Sequence, residues 1–341
     1  MYKVISTSRW GGLGGSFYQT SGTTFSFDSM TTSASQQSFS SVPSQPRELC
    51  DKSSRESGII NIGNTCYLNS TLQLLRVLSP NCHSPAVQAI LKKLNEKTLT
   101  DVDIKAFFNN HAKPEKPLSL TAAESALFDY RYNLHRQQDA SEILGRLLEK
   151  FALMSIQSKV EPQEGTFVGT ASTTIEPQSV ICVPIFPGLG DFSSLLDHEY
   201  GASQVVEHMT GDNQYKDNSG TLVDAKKSHS LRLPTGFKSG DVVLFSLKRF
   251  QGDAVSQSKI DTEIVTPATF DMDVSGVRCR FELVAGIIHR GPLAGGHYWS
   301  FTRDQAGCTV FDDSTVSRCP LDQVPGITKA YVLAYKVTIL Q

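Results

Sequence analysis

Apolar positions recur at helical spacing through the first half of the chain and at strand spacing through the second. Val87-Gln88-Ala89-Ile90-Leu91-Lys92-Lys93-Leu94 and Ala140-Ser141-Glu142-Ile143-Leu144-Gly145-Arg146-Leu147-Leu148-Glu149-Lys150-Phe151 each put their aliphatic residues on one helical face. Tyr67, Leu68, Leu72, Leu74, Leu75 and Leu78 predict a further helix, entered from a turn rich in Gly and Asn. From about Gly165 onward the runs shorten and become β-like: 180–185, 241–247, 281–288, 298–301 and 330–335. A helical half followed by a strand half is the pattern of an α+β fold. Residues 1–56 are dominated by Ser, Thr, Gln and Gly and cannot bury enough apolar surface to offset their ordering entropy, so they read as a disordered leader. No internal repeat is present.

Composition narrows the class. The 341 residues provide ample apolar content for a core, and a net charge of -2 with both signs mixed argues against a nucleic-acid partner or a membrane anchor. No apolar run approaches the ~20 residues needed to cross a bilayer, and Met1–Gly15 lacks the form of a secretory signal, so an intracellular location is expected. The seven cysteines are odd in number and scattered, which suits reduced thiols.

One of those thiols changes the picture. Cys66 falls in the first turn of the helix that follows Gly63-Asn64, where unpaired N–H groups and the macrodipole favour the thiolate. A cysteine nucleophile needs an imidazole to take its proton, and the imidazole needs an acceptor. Of eight histidines, His83, His111, His135, His198, His208 and His229 lie in polar or loop-like surroundings and read as surface residues. His289 and His297 remain, either side of Gly295-Gly296. Fifteen residues past His297, Asp312-Asp313 follows the strand-like 308–311, and an antiparallel hairpin of that length returns Asp312 to His297.

Three segments together carry a family resemblance. Gly58-Ile59-Ile60-Asn61-Ile62-Gly63-Asn64-Thr65-Cys66-Tyr67-Leu68-Asn69-Ser70-Thr71-Leu72-Gln73 resembles, nearly position for position, the Cys box of the ubiquitin-specific proteases, a papain-like cysteine peptidase family. Gln137-Gln138-Asp139-Ala140 resembles the family's Gln-Gln-Asp box, and 287–301 its His box. The resemblance runs from about Gly58 to Lys336. It implies a papain-like α+β fold with a helical thumb (57–160), a β fingers insert (165–230) and a β-rich palm (231–341). It further implies a deubiquitinating enzyme with Cys66 as nucleophile, His297 as base, Asp312 orienting it and Asn61 as oxyanion donor. Gln137, Asp139, Gly295, Gly296 and Tyr298 would hold the substrate tail, with Asp139 and Glu142 offered to its arginines; His289 would be a supporting residue at a strand end. Ubiquitin and ubiquitinated proteins are the implied partners, with no nucleic acid, no membrane and no cofactor. A catalytically silent ubiquitin-binding module, or a protease for a ubiquitin-like modifier, would share the pattern. The chain departs from the family where many members hold zinc through two Cys-x-x-Cys pairs: Glu176 to Ser179 and Lys216 to Ser219 match those places and carry no thiol, so no metal is expected.

Overall fold

The run after Gly63 forms helix α1, Cys66–Leu75, and all ten of its residues are buried, the polar ones included. Surface helices normally bury one stripe and leave such polar residues in water. Here Ser70 Oγ and Thr71 Oγ1 donate to Tyr67 O, Gln73 Nε2 donates to Ser57 O, and Asn69 Nδ2 reaches Ile59 O and the Asp313 carboxylate. The computed structural model of the chain describes residues 56–148, 151–162, 172–204, 206–217, 219–252, 257–292 and 295–340. The leader expected over 1–56 lies outside them, except Glu56, which pairs with Arg76.

Four more α-helices follow among the described residues of the first half: α2 Pro85–Asn95, α3 Asp101–Phe107, α4 Ala122–Arg131 and α5 Ala140–Leu147. Their starts are written locally. Ser84 caps α2 with proline at the first position, and Thr100 with Asp103 and Thr121 with Glu124 form reciprocal capping boxes. In α2 the buried stripe is Val87, Ile90, Leu91 and Leu94, as the spacing predicts. α5 stops at Leu147, short of the expected Phe151.

The strands follow in two groups. β1 Met154–Pro162, β2 Ser172–Gln178, β3 Ile181–Val183, helix α6 Phe192–Tyr200, β4 Glu207–Met209, β5 Tyr215–Lys216, β6 Leu222–Val223 and β7 Ala225–Arg232 come first. Then come β8 Val242–Leu247, β9 Phe250–Gly252, β10 Gln257–Lys259, β11 Thr269–Val274, β12 Val277–Arg290, β13 His297–Asp304, β14 Gly307–Asp312, β15 Thr315–Cys319 and β16 Ala330–Ile339. One antiparallel sheet has the order β2-β1-β7-β4; the larger one runs β15-β14-β13-β12-β16-β8-β3, with β11 also on β12. The smaller sheet thus opens at Met154, before the 165 expected for the insert, while β3, inside that expected span, pairs parallel with β8 in the larger sheet.

The near-continuous apolar run of β12 is explained by burial on both faces of that sheet. Ala285, Ile287, Leu244 and Val332 pack on the side of α1, α2 and α5; Phe281, Leu283, Phe245 and Tyr335 pack on the side of α6. Simple alternation would send 281, 283, 285 and 287 to one face. The register shift against β16 between Leu283 and Ala285 inserts Val284 into β12 and reassigns the faces beyond it, while the shift between Ile287 and Ile288 inserts Tyr331 into β16. Ile288 therefore joins the α6 side. His289 turns to the opposite face, among Phe250, Tyr298 and Tyr331.

The segments matched to the family's zinc ligands do not meet. Glu176 pairs with Ile156 at the Met154 end of β1, whereas the β5–β6 hairpin precedes Ala225, which pairs with Pro162 at the other end. Six residues of strand separate Ile156 from Pro162, roughly 20 Å. The β5–β6 turn is held instead by Asp217, whose Oδ1 accepts from Ser219 N, Ser219 Oγ and Thr221 N at 2.9, 2.6 and 2.8 Å.

Arg249 is the largest fully buried side chain among the described residues. It donates to four carbonyls, Ala330, Ile260, Thr262 and Thr328, tying the end of β8 to the loop after β10 and to the entry of β16. Desolvation lowers its pKa to about 10, leaving it charged at neutral pH. Arg249→Met should lower stability by about 3 kcal/mol or more, because buried carbonyls lose their donors; a melting temperature within a degree of wild type would contradict this. The purified chain should contain no stoichiometric zinc, and a chelator should leave its melting temperature unchanged. About one zinc per chain by elemental analysis, with loss of structure on chelation, would overturn that expectation.

Candidate active site

Cys66 opens α1 and is buried, 3% exposed. The helix start is capped from a distance. Thr65 N donates to Asn61 Oδ1 at 3.0 Å, and Ile62 N donates to Thr65 Oγ1 at 3.1 Å, so Asn61 orders the turn that presents the thiol. The same Asn61 donates through Nδ2 to Asp313 Oδ2 at 3.0 Å. Asp313 Oδ1 accepts from Asn69 Nδ2 at 2.8 Å, and Asp313 O accepts from Ile59 N at 2.8 Å. This bracket joins the segment before Cys66, the helix after it and the β14–β15 turn. Gly58 passes so close to that turn that a Cβ would lie 2.5 Å from Asp313 O, which accounts for the missing side chain.

His297 begins β13 and Asp312 ends β14, strands that pair antiparallel with Ser300 opposite Phe311. His297 Nε2 and Asp312 Oδ1 are 2.7 Å apart. The imidazole also makes a hydrogen-bonding contact with the Cys66 side chain, so the ring stands between thiol and carboxylate. Asp312 first, and Cys66 second, raise the pKa of His297 to about 10 against the cost of desolvation. The His297 and Asp312 side chains are 42% and 30% exposed, so this edge of the site opens to solvent. Among the described residues, His297, Asp312 and Asp313 also have potential metal-ligand atoms within 4.8 Å of one another. Those atoms are already committed, to each other and to the Asn61 and Asn69 amides.

Gln137 Nε2 donates to Cys66 Sγ at 3.9 Å, which brings a second side chain to the thiol. The remaining expected substrate contacts are arranged differently. Asp139 caps α5, its Oδ1 accepting from Ser141 N and Glu142 N and its Oδ2 from Tyr331 OH at 2.6 Å. Burial raises its pKa against those hydrogen bonds. Glu142 is paired with Arg146 one turn along the helix. Both acids expected for substrate arginines thus have partners within the fold. Tyr298, expected to touch substrate, is fully buried: strand alternation gives His297 and Trp299 one face of β13 and sends Tyr298 inward against His289. Gly295 has open space where a Cβ would be, but a Cβ on Gly296 would fall 2.0 Å from His289 Nε2. The bare backbone of Gly296 is required by packing on that ring.

His289 itself is fully buried, and neither ring nitrogen has a hydrogen-bond partner among the described residues. Burial, then the nearby Lys259 and His297, hold its pKa near 3, so the ring is neutral. Two histidines read as surface residues differ. His83 is 6% exposed, and His229 is half-buried with Nδ1 2.9 Å from Ser158 Oγ. Neither Asn69 nor Tyr331 belongs to a motif that assigns it a role. The one available sign for Asn69 was a polar residue on the inward side of an apolar helix.

Comparison with known proteins addresses the fold and the family. A structure of the SAGA DUB module bound to monoubiquitin superposes with a TM-score of 0.60 over 90% of this chain and 73% of that one, at 22% identity. Another, bound to ubiquitin aldehyde, gives 0.55 over 84% and 70%, at 21% identity; these likenesses establish the fold. The probable ubiquitin carboxyl-terminal hydrolase 16 of Schizosaccharomyces pombe is 26% identical over 313 residues, covering 82% of this chain and 66% of the relative. Human ubiquitin carboxyl-terminal hydrolase 15 is 36% identical over 105 residues, 28% of this chain and 10% of that protein. This chain therefore spans about two thirds of the first relative and a tenth of the second. The model of the ubiquitin carboxyl-terminal hydrolase family matches residues 57–335, which takes in every element from α1 to the middle of β16, and the chain belongs to that family.

Proposed function

We propose that this chain is a thiol-dependent ubiquitinyl hydrolase that cleaves the bond after the C-terminal glycine of ubiquitin. The observation that carries the reading is the position of His297, between the Asp312 carboxylate at 2.7 Å and the Cys66 side chain at the start of a buried helix. In this reading the Cys66 thiolate attacks the glycine carbonyl, and the imidazolium of His297 protonates the leaving amine as the C–N bond breaks. Water, deprotonated by His297, then hydrolyses the thioester. Asn61 has one amide hydrogen on Asp313 and a second for the developing oxyanion, and Gln137 supplies another donor beside the sulfur. A donor of this kind is typically worth ~3 kcal/mol in the transition state.

The direct test is hydrolysis of a fluorogenic amide at the ubiquitin C-terminus, run beside the same amide on ubiquitin-like proteins. Turnover of the ubiquitin amide is expected. Binding of ubiquitin without turnover would favour a silent binding module, and preference for another modifier would displace ubiquitin as substrate. Cys66→Ala should abolish turnover while leaving the melting temperature near wild type; residual activity close to wild type would remove Cys66 as nucleophile. His297→Ala should lower kcat by roughly 100- to 10,000-fold, with His289→Ala costing less and acting mainly on stability. The reverse order would refute the assignment.

The charge on His297 gives a pH prediction. Its pKa is raised on folding, so its contribution to stability is complete below the unfolded value of ~6.5. That contribution fades as pH rises through about 10. Asp312→Asn removes the largest cause, and an NMR titration of the imidazole should then show the midpoint falling toward the ordinary histidine range. An unmoved midpoint would mean that Asp312 does not hold the ring.

A further inference from the structure

The segment leading into His297 is held from below by a side chain on a different hairpin. Lys259 ends β10, and its side chain is only 10% exposed. Its Nζ donates to His289 O at 2.9 Å and to Gly291 O at 3.3 Å, and Asp261 Oδ1 lies 3.8 Å away. Those two carbonyls straddle Arg290, the last residue of β12, and Arg290 is the register partner of His297. The ammonium therefore grips the strand end directly opposite the base.

Burying an ammonium is unfavourable, and desolvation does lower the pKa of Lys259. The charged groups around it are Asp261, Arg249 and Lys329, two of them cations. Arg249 serves other carbonyls, and Lys329 donates to Asp261 O, so neither reaches the strand end. His289 lies beneath Gly296, and its ring forms no hydrogen bond among the described residues, so what it gives that backbone is packing. Lys259 is thus the polar tie at this strand end, and three N–H donors on one compact charge can serve two diverging carbonyls.

We infer that Lys259 is a positioning residue, which sets His297 against Cys66 by clamping the exit of β12 and so makes the site answer to the placement of the β9–β10 hairpin. The inference rests on the reading of His297 as the base. Displacements near 1 Å at such a group can cost on the order of 100-fold in rate.

The test uses the full chain with Lys259→Met, Lys259→Arg and the control Lys329→Met, which removes a cation from the same cluster without touching the strand end. Three quantities are followed: melting temperature, kcat and KM on the ubiquitin amide, and NMR titration of the His297 ring. Lys259→Met should lower kcat about tenfold or more with KM within threefold, and should move the His297 midpoint down from its raised value. Lys259→Arg should recover most of both, and Lys329→Met should leave both within twofold of wild type. A His297 midpoint unchanged in Lys259→Met, or a kcat loss equalled by Lys329→Met, would overturn the inference. Should the methionine variant fail to fold, Lys259→Gln carries the same comparison. The titration needs no substrate, so a wild-type chain inactive on ubiquitin would defeat the proposed function while the clamp is still decided by the His297 midpoint.

Discussion

A helix buried on every side keeps its polar side chains only where hydrogen bonds answer them, and α1 is such a helix, with Tyr67 OH and Asn69 Oδ1 left without a partner among the described residues. Each unsatisfied buried group would cost about 1 to 3 kcal/mol, so the placement of Asn69 and Gln73 strongly disfavours any other seat for the helix. Asn69 is answered by Asp313, a residue in the left-handed region at φ 51°, which a short polar side chain tolerates better than most. The turn that satisfies the helix also carries Asp312. Burial of α1 and the spacing from thiol to carboxylate are therefore one requirement met once.

The larger sheet contributes through irregularity as much as through pairing. One register shift inserts Val284 into β12 and another inserts Tyr331 into β16, so that aliphatic side chains serve both cores and the first of them brings His289 to the face of Tyr298 and Tyr331. A regular strand with the same composition would have placed that imidazole among the α6-side aliphatics, under no part of the catalytic loop.

Much of this was legible in the residues. Helical spacing located α1, α2 and α5, β-like runs located β3, β8, β12, β13 and β16, and hairpin length alone suggested that Asp312 returns to His297. The parts that were not legible depend on partners distant in sequence. Asp139 reads equally well as a substrate ligand or a helix cap until Tyr331 is seen donating to it across 192 positions. Tyr298 follows the base in sequence, yet strand alternation turns it into the core. His83 sits in a polar stretch and is nonetheless buried, because exposure is decided by what packs over a residue. β3 lies inside the span expected for the fingers and pairs with β8 of the larger sheet, since three apolar residues carry no mark of the sheet they will join.

The strand order has a consequence for how the site comes into being. β16 lies between β12 and β8, although it follows every other strand of that sheet in sequence. Until residues 330–339 are in place, β8 with β3 has no seam to β12 and the strands that carry His297 and Asp312. His297 and Asp312 can meet on their own hairpin before that, but the two parts of the sheet cannot join. Contacts of such sequence separation form slowly. The seam that unites the two parts of the sheet is therefore made only after the residues of α1 and of the β13–β14 hairpin are already in the chain.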